Sequence, residues 1–179
     1  MHIAVEWVGN ANAVLSRRTR PSRWFCAVLL GLMACSAHSV PYVALDSGIS
    51  GGRGSASPRF DVVTDSGTFK RVFAEMHASQ LPVPPPPDVN FTRSFVVLAV
   101  LGEKPTAGYS LRIVRISQHE GTLRVEVRED RPPPDRAVAA VITQPYTLVR
   151  VDRRPLFDAV EFVGEDQRIM QTISIKKSD

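Results

Sequence analysis

The chain has 179 residues, with 22 basic and 18 acidic side chains and a formal net charge of +4. The excess is local. Residues 1–34 hold four arginines and one glutamate, and the remaining 18 basic and 17 acidic residues leave about +1, so the pI of about 9.4 gives no support to a nucleic-acid partner, whose electrostatic footprint is a clustered basic face. Two cysteines, Cys26 inside an apolar segment and Cys35 at its end, exclude a disulfide framework, so the domain must stand on its apolar core. About 120 residues are enough for that.

Ser16 to Arg23 carries four arginines and no acid, and leads into Trp24–Ala34, eleven nearly all apolar residues. A basic stretch, a short apolar run and small residues at its end are what export machinery reads, and the run is too short for a bilayer core that needs roughly 20 residues. Residues 1–34 therefore read as a signal peptide. Residues 1–15 stand awkwardly ahead of the arginines, the pattern of a start assigned too far upstream. Leu32-Met33-Ala34-Cys35 resembles the bacterial lipobox, which implies acylation of Cys35 and an anchor in a membrane of the cell envelope. Cleavage after Ala37 by an ordinary signal peptidase, giving a soluble secreted protein, is the alternative.

Residues 35–58 are rich in Ser, Gly and Ala, centred on Ser50-Gly51-Gly52-Arg53-Gly54-Ser55, and read as a flexible tether that could hold one short strand at Tyr42–Leu45. The folded domain is expected over 59–177. Phe60–Thr64 reads as its first strand. Phe69, Val72, Phe73 and Met76 then recur at helical spacing and place one apolar stripe on a helix packed against its own sheet. Leu81–Asp88, with five prolines, can be neither helix nor central strand and should run as polyproline II. Phe95–Leu101 is a continuous apolar run ended by Gly102, the pattern of a strand buried on both faces. Tyr109–Ser117 and Thr122–Glu129 follow, joined by a hairpin turn at Gln118–Gly121. Leu123, Val125 and Val127 alternate with Arg124, Glu126 and Arg128, so this strand has one dry and one wet face. Ala137–Thr143, Tyr146–Val151, Leu156–Val163 and Ile169–Ile175 give further strands. The fold class is mainly β: an antiparallel sheet, sandwich-like or a partly closed barrel, with one amphipathic helix near the domain start.

Three pieces carry a family resemblance: Phe91–Val100, the decapeptide Leu101-Gly102-Glu103-Lys104-Pro105-Thr106-Ala107-Gly108-Tyr109-Ser110, and Thr143-Gln144-Pro145-Tyr146. In order and spacing they resemble the C-terminal domain of PrcB-type accessory proteins, named for a lipoprotein subunit of a bacterial protease complex, across about residues 60–152. The resemblance implies a non-enzymatic envelope protein that associates with an exported protease or another exported protein. Ala107 departs from the pattern, which often has a second glycine there; if that position needs a positive φ, Ala107 is strained. Lys104-Pro105-Thr106-Ala107-Gly108-Tyr109 also looks like the Asn-Pro-Thr-Thr-Gly-Tyr loop of chagasin-type cysteine-protease inhibitors, a likeness confined to one loop that implies insertion into a protease cleft.

Apart from any family, Pro105 stiffens this loop, Gly108 permits a backbone that other residues avoid, and Tyr109 is either an amphipathic interface anchor or a ring packed inward. The candidate partner-binding residues are Gly102, Glu103, Lys104, Pro105, Thr106, Gly108, Tyr109, Pro145 and Tyr146. The enzymatic alternatives lack a pattern. His38, His77 and His119 have no nucleophile or third group aligned with them in sequence, and no His, Cys or acidic pair stands at metal-ligand spacing. Gly51-Gly52-Arg53-Gly54 lacks the helix and lysine of a phosphate loop. The sequence implies neither catalysis nor a metal or cofactor.

Overall fold

The computed structural model describes residues 38–51, 54–153 and 157–175; the signal segment 1–34 and Cys35 lie outside the described residues. Among the described residues there are nine strands and one helix: β1 (His38–Ser39), β2 (Tyr42–Ile49), β3 (Arg59–Val63), α1 (Ser66–Met76), β4 (Ser94–Val100), β5 (Ser110–His119), β6 (Thr122–Asp130), β7 (Pro145–Asp152), β8 (Ala159–Val163) and β9 (Ile169–Ser174). They form two sheets, ordered β1-β5-β6-β8-β9 and β2-β7-β4-β3, with no closed barrel. All pairings are antiparallel except β6 with β8. That exception arises because β7, which lies between them in the chain, joins the other sheet.

β4 shows why the layers stack as they do. Its seven residues are all buried, and alternation sends them into two different cores. Phe95, Val97 and Ala99 face the space between the sheets with Leu123, Val125, Val127 and Phe162, where Phe60 and Phe162 stack at 4.7 Å. Val96, Leu98 and Val100 face the other way, under the α1 stripe of Phe69, Val72, Phe73 and Met76. The molecule is thus sheet on sheet, with the helix on the outside of the second sheet. Asp65 caps α1, accepting a hydrogen bond from the Thr68 N–H at 2.8 Å; this hydrogen bond holds its carboxyl below the usual carboxylate range.

The hairpin between β5 and β6 closes on Glu120 (φ 46°) and Gly121 (φ 77°), both left-handed as a two-residue turn requires. On β6, Leu123, Val125 and Val127 point inward, whereas Arg124, Glu126 and Arg128 point out; ion pairs link β6 to β5 and β8, with Arg115–Glu126 at 2.6 Å, Arg124–Glu161 at 3.4 Å and Arg112–Asp130 at 2.6 Å, and Arg128 pairs with Asp130 of its own strand at 3.3 Å.

Two expectations are corrected. The stretch expected as a flexible tether contains β1 and the eight-residue β2, which pairs with β7 from Tyr42↔Val151 to Ile49↔Pro145. Side-chain ties hold this glycine-containing strand on the edge: Tyr42 donates to the Ile113 carbonyl at 2.8 Å, and Leu45 packs on the helix-side core. Ala137–Thr143 does not form a strand. Its carbonyls and N–H groups bond the 104–107 loop instead of a ladder, and only Thr143 makes an isolated bridge, to Lys104.

Candidate functional site

The connector 101–109 carries the chain from β4 in one sheet to β5 in the other, and backbone hydrogen bonds pin it along most of its length. Leu101 N–H donates to the Pro145 carbonyl (2.8 Å), Glu103 N–H to Ser55 (2.8 Å) and Ala107 N–H to Ala139 (3.0 Å). Lys104 and Thr143 exchange both of theirs, at 2.7 and 2.9 Å, and the Thr143 hydroxyl donates to the Thr106 carbonyl at 3.0 Å. Two glycines are required. At Gly102 a Cβ would stand 2.1 Å from the Ala56 carbonyl oxygen, and Gly108 sits at φ +91°. Ala107 is not among the residues with positive φ, so the departure from the family pattern carries no backbone strain.

The side chains divide by exposure. Glu103 and Pro105 are exposed and Thr106 and Tyr109 half-buried, beside the exposed Val141 and Ile142 of the paired segment. Lys104 is held from two sides: its Nζ is 2.8 Å from Glu129 Oε2 and 5.5 Å from the Tyr109 ring centre. Tyr109 lines a 280 Å³ cavity with Gly48, Ile49 and Tyr146, between the β2 edge and the start of β5. Gly102, Pro145 and Tyr146 are buried, so they shape and support the loop and offer a partner no open surface. Cys35, expected to carry lipid, lies outside the described residues.

Sequence reasoning found no partners for His77, yet the fold supplies two. Asp46 on β2, His77 at the end of α1 and Tyr146 on β7 meet within the helix-side core. The Tyr146 hydroxyl donates to Asp46 Oδ2 at 2.7 Å, and His77 Nε2 lies 3.1 Å from that oxygen and 3.3 Å from the hydroxyl. Nδ1 is 2.9 Å from the Phe73 carbonyl, which can only accept, so Nδ1 bears a proton. Burial, then the bond to Asp46, pushes the Tyr146 phenol well above its ordinary range. An acid, an imidazole and a hydroxyl are thus in contact, with His77 and Tyr146 only 5% and 3% exposed and the Asp46 side chain 25% exposed. The cluster ties three elements together. No short motif announces it, because its members are 31 and 69 residues apart. Among the described residues no group of three or more His, Cys, Asp or Glu is placed to hold a metal ion.

A family model described as PrcB C-terminal matches residues 95–152, a span that holds the loop and its contacts with residues 139–145 but not those with Ser55 and Ala56. Residues 95–152 are similar to the PrcB C-terminal family. The match opens at Phe95, the second residue of β4, and closes at the end of β7, so it includes the pinned loop and Gln144-Pro145-Tyr146, whereas β1, β2, β3, α1, β8 and β9 stand outside the matched span. No curated protein and no solved structure matches the chain.

Proposed function

We propose that this chain is an exported envelope protein, lipid-anchored through Cys35, whose PrcB-like domain is a non-enzymatic accessory module for a protein partner, an exported protease in the first place. The observation that carries the reading is the conjunction of the PrcB C-terminal match with the pinned connector at its centre. A loop fixed by backbone bonds and two obligatory glycines presents Glu103, Pro105 and the edge of Tyr109 without further ordering, and preorganisation of this kind favours a recognition surface. Val141 and Ile142, 50% and 68% exposed, add apolar area beside it. The Ser16–Cys35 pattern supports export and anchoring.

The test is capture from envelope extract by the full chain, comparing the wild type with Glu103→Arg and Ile142→Asp, both exposed. Loss of one defined partner in both variants, with unchanged melting temperature, is the expected result. The purified protein should leave a papain-like protease active. Stoichiometric inhibition abolished by Tyr109→Ala would replace this reading with the chagasin-like one. Cys35→Ser should end labelling by a palmitate analogue and release the protein from membranes; retained labelling would remove the anchor from the proposal.

A further inference from the structure

On β4 and β7 the face that carries Leu98, Leu148 and Tyr146 under α1 continues, two residues at a time, to Ser94, Arg150 and Asp152. At that end a cavity of 710 Å³ opens, lined by Asn90, Thr92, Arg93, Arg150, Asp152 and Arg153 together with Ser94. Backbone pairing assembles it: Ser94 stands opposite Asp152, Val96 opposite Arg150, and Arg153 N–H donates to the Arg93 carbonyl at 2.9 Å.

The charge here is handled unlike the charge elsewhere. The arginines on the outer face of the other sheet, Arg112, Arg115, Arg124 and Arg128, each have an acid within 2.6–3.7 Å. Among the described residues, Arg93, Arg150 and Arg153 make no ion pair. Arg153 is fixed by two carbonyl oxygens, donating from Nε to Ser94 at 3.2 Å and from an Nη to Thr64 at 3.0 Å, which orients the guanidinium and leaves its charge uncompensated. Arg150 is half-buried on β7. Asp152, the only acid lining the cavity among the described residues, accepts from the Ser94 hydroxyl at 3.2 Å. Three cations against one anion leave about two positive charges in a concave site, and guanidinium forks match the oxygens of a tetrahedral oxyanion. A lone carboxylate would occupy one fork and neutralise half of that excess.

We propose that this cavity binds a dianion of the phosphate class, held by Arg93, Arg150 and Arg153. The same chemistry could come from a soluble phosphate compound or from a phosphomonoester lipid headgroup, and the experiment separates them. The full chain is titrated calorimetrically with inorganic phosphate and with pyrophosphate at fixed ionic strength, and co-sedimented with phosphatidylcholine vesicles with and without phosphatidic acid. Saturable binding of a soluble probe that weakens about tenfold or more in Arg150→Gln and in Arg93→Gln assigns the site to soluble phosphate. Capture only by phosphatidic acid vesicles, reduced in the same two variants, assigns it to a lipid headgroup. Arg150→Lys keeps the charge and loses the fork, so it should fall between Gln and the wild type. Arg136→Gln, outside the cavity, should change nothing. Arg93 is exposed, so its variant tests the site even if Arg150→Gln fails to fold. No binding of any probe, or binding equal in wild type and Arg93→Gln, would overturn the proposal.

Discussion

The two cores on either side of β4 are built to different rules. Between the sheets, Phe95, Val97, Leu123, Val125, Val149 and Phe162 are all apolar and at most 2% exposed, so stability there is a matter of packing. Under the helix, apolar packing by Leu98, Leu148 and Met76 adjoins a polar cluster of the buried His77 and Tyr146 with the half-buried Asp46. The first core forgives no polar atom. The second contains polar atoms and is vulnerable to the loss of any one partner, and through the Tyr146 phenol to alkaline pH.

The comparison breaks most severely at Val125. Val125→Asp buries an unpaired carboxylate between the sheets and should unfold the domain, a loss of more than about 4 kcal/mol, whereas Arg124→Asp, one residue away on the wet face, should cost about 1 kcal/mol or less in a thermal melt. Equal losses would mean that the facing of β6 is wrong. Leu98→Ala, on the helix side of β4, should cost about 2–5 kcal/mol in urea unfolding without changing the slope, because it leaves a cavity between sheet and helix.

Tyr146→Phe is a subtler probe of the polar core. Losing the donor to Asp46 should cost about 1–3 kcal/mol at pH 7. The phenol is pushed up in the folded state, so its contribution is complete below the unfolded value near 10 and is lost as pH rises above it. Wild-type stability should therefore fall between about pH 10 and 12, and Tyr146→Phe should lack that component when urea midpoints are compared across the range. The smallest effect is expected at Asp65. Its carboxyl is held low by the cap hydrogen bond, so the benefit is present above the ordinary carboxylate range and fades as pH falls through it. Asp65→Ala should lower the melting temperature slightly at pH 7 and hardly at all in acid.

The same contrast explains how much was legible in the sequence. β4 and β6 announce themselves, one by an unbroken apolar run and the other by strict alternation, because burial on two faces or one is written directly into residue order. The α1 stripe is equally plain. β2 is hidden because Asp46, Ser47 and Gly48 interrupt its apolar residues and read as linker. Ala137–Thr143 misleads in the opposite direction: its apolar residues suggest a strand, but Val141 and Ile142 face solvent. Within the loop, Gly108 signalled its own left-handed backbone. The burial of Gly102, Pro145 and Tyr146 is not legible, because the surfaces that cover them come from Ala56, from β2 and from the end of α1. The arginine cavity is invisible for the same reason, since only the β4–β7 register brings residue 93 beside residues 150 and 153.

The parallel pairing of β6 with β8 has a consequence for the polypeptide in solution. Thr122–Glu126 bond on one side to β5 and on the other to Ala159–Val163, which returns only after β7 has crossed to the opposite sheet, and β9 then covers β8 in turn. The C-terminal hairpin is thus a guard on a hydrogen-bonding edge. A polypeptide cut after β7, where the family match ends, would present the open edge of β6 and lose Val160 and Phe162 from the core between the sheets, and its expected fate is self-association through that strand rather than a smaller soluble domain.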